Sequence, residues 1–162
     1  MARITAQQAG GQNRVSFLEM LAWSEIGPAL LAVSDDGYNV LVGATPARPL
    51  LFTSYATHPN VYNAVLNSTA AGRYQLLYRW FAPYQTLLKL HGFSPVSQDL
   101  IALQQIRERR ALPLIDAGQF RQAVAACSNI WASLPGNLYG QHANEMAALQ
   151  AAYVAAGGTV ST

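Results

Sequence analysis

The chain has 162 residues, the size of one domain, and 51% of them are hydrophobic against 11% charged, which excludes a disordered or fibrous protein. Ten basic residues against eight acidic ones leave a net charge of +2, too small and too evenly spread to indicate nucleic-acid binding. The single cysteine, Cys127, excludes an internal disulfide, so the fold stands on its hydrophobic core.

Residues 1–13 are polar and glycine-containing, and read as a flexible lead-in without the apolar run of a signal peptide. No stretch approaches the about 20 apolar residues of a membrane helix, so the product is expected to stay soluble where it is made. Asn13 is placed to cap a helix over residues 14–25. Phe17, Leu18, Leu21 and Ala22 share one face of it, and Glu25 falls on that stripe at the C-terminal end. Between residues 26 and 62, Gly27-Pro28, Asp35-Asp36-Gly37 and Thr45-Pro46 punctuate short runs such as YNVLVG, which predicts a small antiparallel sheet. The helical period returns over residues 73–90, where Pro83 should kink or end the helix. Ser94 caps a further helix with Pro95 in its first turn, and Asp116-Ala117-Gly118 breaks the next stretch. A helix over 120–135 and a last one over 143–156, closed by Gly157-Gly158, complete an α+β order, mostly helical, in a single domain over 1–162.

Few side chains in this pattern point to chemistry. Burial and the negative end of a helix dipole both raise a carboxyl pKa, so Glu25 on its apolar stripe suits a general acid; a solvent-exposed helix-end glutamate fits the same pattern. Asp35 and Asp36 read as a turn, or as the second carboxylate that a hydrolytic glycosidase needs. Tyr74 and Gln75 after Ala70-Ala71-Gly72 offer a stacking face and an amide to a sugar; in the alternative, Arg73 and Tyr74 start a helix and pack it. Trp23, Trp80 and Trp131 sit at helical positions that read as core in preference to sugar stacking. Arg107, Arg109 and Arg110 with Glu108 form a solvated helix face. Cys127 has no basic neighbour to activate it and reads as structural. His58, His91 and His142 are too far apart for a metal motif, and neither a GxSxG elbow nor a phosphate loop occurs.

The segment FLEMLAWSE at 17–25 resembles the stretch carrying the catalytic glutamate in the lambda-lysozyme family of phage endolysins. The resemblance continues in order through GYNVLVG at 37–43, LFTSY at 51–55, AGRYQLL at 71–77, FSPVSQD at 93–99, ALQQIRER at 102–109, CSNIWASLPG at 127–136, YGQ at 139–141 and AGGTV at 156–160. It implies a lysozyme-like fold and a lytic transglycosylase of peptidoglycan glycan strands, forming 1,6-anhydro-MurNAc without cofactor or metal, with Glu25 as acid/base. Glycan contacts are implied at Tyr38, Asn39, Ser68, Tyr74, Gln75, Tyr139 and Gln141, with lips over the cleft at 60–67 and 135–141. Position 39, commonly aspartate in the family, is asparagine here, an amide that cannot titrate. The resemblance further implies a monomer that waits in the host cytoplasm and reaches periplasmic peptidoglycan once a holin-like membrane protein opens the way. The same fold acting as a hydrolytic muramidase, or as a silent glycan-binding protein, is the alternative reading.

Overall fold

The computed structural model describes residues 1–136 and 143–161. Thr5 opens α1 (Ala6–Ala9) with a capping box, its hydroxyl accepting from Gln8 N while the Gln8 side chain accepts from Thr5 N. The lead-in is anchored: Ile4 is buried, and the Arg3 and Ile4 amides both donate to the buried carboxylate of Asp99 at 2.8 and 2.9 Å. The central helix α2 (Gln12–Ile26) starts earlier than expected, after Gly11. Asn13 does not cap it; its side chain donates to Ile115 O and accepts from Thr159 N, tying the helix to both ends of the C-terminal half.

The region expected to form strands departs most from the pattern. Pro28 begins a short helix, α3 (Pro28–Ala32), because its fixed φ and missing N–H suit a first helical turn. Beyond it, the small antiparallel sheet is not formed as a ladder. Val40 pairs with Leu51, Leu41 with Ala71, Asn63 with Ser68 and Ala71 with Leu76, each as a single bridge. The reason lies in the turns: Gly37, Gly43, Asn67 and Gly72 all take positive φ, so no run stays extended long enough to pair twice. Isolated bonds such as Val42 N to Ala70 O and Gly72 N to Val40 O hold these loops together instead.

Helix α4 (Tyr78–Leu88) begins five residues after Arg73, where the helical period starts, and continues through Pro83. Ser94 caps α5 (Pro95–Glu108) as expected, accepting from Ser97 N at 3.2 Å. The short α6 (Leu112–Asp116) precedes α7 (Phe120–Cys127), which stops eight residues before Pro135, and α8 (Met146–Ala155) ends before Gly157 at φ +91°. Phe17, Leu18 and Leu21 of α2 lie fully buried in the main core with Ile106, Phe120, Cys127, Leu149 and Tyr153. A second core gathers Phe52, Leu76, Phe81, Phe93 and Ile101 under the loops. No described helix is long and apolar enough to cross a membrane.

Candidate active site

Glu25 stands in the last turn of α2, where the unpaired carbonyls of the helix end meet the surface. The residue as a whole is half-buried, while its carboxyl is enclosed enough for desolvation to push the pKa up; hydrogen bonds from the Ser133 hydroxyl and backbone oppose that shift without cancelling it. Ser133 Oγ donates to Glu25 Oε1. Behind it, Ser24 Oγ donates to Ser133 Oγ at 2.7 Å, and the Asn144 side chain donates to Ser24 Oγ at 3.0 Å. Position 25 follows from the helical period; the three partners do not. Ser133 lies 108 residues away in a stretch that the sequence assigns to a helix, and only its place inside the matching WASLPG segment marks it.

The turn over residues 71–75 is tied to the same region, because Trp131 Nε1 donates to Tyr74 O at 3.1 Å, two residues before Ser133. Gln75 is half-buried at φ +49°, its amide nitrogen on Gly72 O at 2.9 Å. Asn39 and Ser68 are also half-buried. The Asn39 side chain accepts from Asp35 N, and the Ser68 hydroxyl accepts from Ala70 N, so both polar groups shape turns. Tyr139 and Gln141 lie outside the described residues.

Two expected glycan contacts are corrected. Tyr38 is fully buried and Tyr74 nearly so, and both phenols donate to the same Asp99 oxygen at 2.7 Å. A ring with no exposed face cannot stack on a sugar. These tyrosines are the inner wall behind the turn, and four donors converge on Asp99 once the Arg3 and Ile4 amides are included. Arg73, read from the sequence as a helix start, is also fully buried, with Nη2 on Glu19 and Nη1 on Asp36, each at 2.8 Å. Trp80, expected in the core, is 48% exposed beside Arg79, whereas Trp131 is buried and Trp23 packs partly against the main core.

The other candidate carboxylates are engaged. Asp35 accepts from the Tyr55 hydroxyl at 2.6 Å and from Arg3 Nη2 at 3.0 Å. Burial would raise Asp36, but the amino group of Met1 and the Arg73 guanidinium outweigh it and hold the carboxyl below its usual range. No group of three or more metal-binding side chains occurs among the described residues. The end of α2 therefore offers a carboxyl inclined to hold a proton, backed by a hydroxyl, and an adjoining turn with a polar amide.

Comparison with known proteins agrees over nearly the whole chain. A family model described as Endolysin matches residues 15–160. The endolysin of Escherichia phage lambda is 52% identical over 152 residues, covering 91% of this chain and 93% of that protein. The endolysin of Escherichia phage P2 is 43% identical over 155 residues, covering 91% and 94%. Among solved structures, bacteriophage lambda lysozyme complexed with a chitohexasaccharide matches with a TM-score of 0.84 at 48% identity, over 99% of this chain and 100% of the other. A second structure of lysozyme from bacteriophage lambda matches with a TM-score of 0.79 at 47% identity.

Proposed function

The chain belongs to the Endolysin family and has a lysozyme-like fold, and on that premise we propose that it cleaves peptidoglycan glycan strands as a lytic transglycosylase, with Glu25 as the acid/base. The observation that carries this reading is the Glu25 carboxyl, desolvated at a helix C-terminus and so biased toward the protonated form that a general acid must hold. Protonated Glu25 gives its proton to the oxygen joining MurNAc to GlcNAc as the bond from C1 to that oxygen breaks. The C6 hydroxyl of the same MurNAc attacks C1, its proton passes to the Glu25 carboxylate, and a 1,6-anhydro ring closes with the acid regenerated.

No water is activated in this sequence, so no second carboxylate is required. Asp35 is held by Tyr55 and Arg3 and Asp36 by Arg73, engagements that favour this reading over hydrolysis. Asn39, Ser68 and Gln75 are the half-buried polar positions proposed to meet the glycan. The bound chitohexasaccharide of the lambda lysozyme structure is a ligand of the same β-linked amino-sugar chemistry. In line with the family resemblance, the protein is further proposed to act as a monomer on periplasmic peptidoglycan after a holin-like protein permeabilises the inner membrane.

Mass spectrometry of muropeptides released from purified peptidoglycan tests the reading. Wild type should leave 1,6-anhydro-MurNAc ends, and Glu25→Gln should fold with unchanged melting temperature yet lose activity by about 10²- to 10⁴-fold. Reducing MurNAc ends would replace transglycosylation with hydrolysis. Near-wild-type lysis by the Gln variant would remove Glu25 from the chemistry.

A further inference from the structure

Ser24, Ser133 and Asn144 form a line of donors whose direction the chemistry fixes. Asn144 Nδ2 contacts both the Ser24 carbonyl at 3.3 Å and Ser24 Oγ at 3.0 Å. A carbonyl only accepts, so the atom facing it is the amide NH₂, which only donates. Ser24 Oγ thus receives from Asn144 and spends its single proton on Ser133 Oγ at 2.7 Å. Ser133, already an acceptor, has one proton left, and it points to Glu25 Oε1. The Asn144 backbone N–H closes the arrangement by donating to Ser133 O at 2.8 Å.

We propose that Ser133 is a positioning residue for Glu25, aimed by Ser24 and Asn144, and that it reserves Oε2 as the oxygen that gives and takes the proton. This deepens, and rests on, the assignment of Glu25 as the acid/base. Oε1 receives the Ser133 hydroxyl proton and is the poorer place for an acid proton, which favours Oε2, while the Ser133 backbone adds to the hold on the carboxyl. The same bond fixes the carboxyl's rotation, which places Oε2 consistently toward the bond being broken. Charged groups on the surrounding elements do not do this. Glu19 and Asp36 are taken by Arg73, Arg14 by Asp116, and Asp99 by its four donors, while Glu25 responds to burial and Ser133.

The test compares pH profiles of kcat and kcat/KM on purified peptidoglycan for wild type, Ser133→Ala, Ser133→Thr and Asn144→Ala, with Glu25→Gln alongside. Ser133→Ala should lower kcat about tenfold at little change in KM, as loss of a hydrogen bond to a charged group predicts. Its alkaline limb should move upward by about one pH unit, because the ionised carboxylate loses a donor. Ser133→Thr should restore both, and Asn144→Ala should shift the limb the same way by less. A Ser133→Ala enzyme with the kcat and limb of wild type would overturn the proposal. So would lost activity with an unmoved limb and no rescue by threonine, the pattern of a merely structural residue. Near-wild-type activity in Glu25→Gln would instead overturn the assignment on which the proposal rests.

Discussion

His58 shows how a single buried side chain couples the loops to pH. Its Nε2 lies 2.8 Å from Leu76 O, which only accepts, and its Nδ1 accepts from Asn60 N at 3.1 Å, so the ring is the neutral Nε2–H tautomer. The ring packs among Tyr78, Phe81 and Phe93, and that burial lowers its pKa against the opposing bond that Nε2–H donates to Leu76 O. A histidine of the unfolded chain takes up its proton near pH 6.5, whereas the folded one resists until lower pH. Its contribution to stability is therefore complete above about pH 6.5 and lost as the pH falls toward the folded value, by at most about 1.4 kcal/mol at pH 5.5. Urea unfolding at pH 7.5 and 5.5 measures this. His58→Gln should be less stable than wild type at pH 7.5 and should lose less on acidification; equal losses in the two proteins would trace the acid sensitivity to other groups.

At the level of elements, the turn before α4 depends on a glycine and on a glutamine from α5. Gln98 accepts from Arg73 N at 2.9 Å and donates to Tyr38 O and Phe93 O, each at 3.0 Å. Gly72 has φ +79°, and a Cβ there would come within 2.2 Å of Gln98 Oε1. Gly72→Ala should cost about 2 kcal/mol or more, since it combines left-handed strain with displacement of that buried amide. A chemical-denaturation midpoint equal to that of wild type would show the turn to be softer than its contacts imply. Elements governed by local signals were legible beforehand: Ser94 and Pro95 set the start of α5, and the apolar period of α2 placed Glu25 in its last turn. What escaped was decided at long range. Asp99 joins residues 95 positions apart, Arg73 is buried by carboxylates from two other segments, and Ser133 reaches Glu25 from a turn. Trp80 misled for the opposite reason, because helical spacing shows which residues share a face but not whether anything packs on it.

Across the whole molecule, α5 joins the main core to the cluster under the loops. Ile101 lies in the cluster under the loops, while Ala102, Leu103 and Ile106 lie in the main one. The Asp99 network adds a polar tie between the N-terminal segment and the residues at 38 and 74. With such shared elements neither core can open far alone, and one cooperative transition is expected. Cys127 reports on it. The thiol is fully buried in the main core at the end of α7, and burial pushes its pKa up to about 12, so the native state offers neither access nor thiolate. Labelling with a disulfide reagent at pH 8 should be negligible without denaturant, and its urea midpoint should coincide with loss of helical circular dichroism. Labelling that begins at clearly lower urea would mean that α7 opens as a unit of its own. That outcome would localise the weakest point of the main core to the helix just before the Ser133 turn, and would make the support of Glu25 the first casualty of partial unfolding.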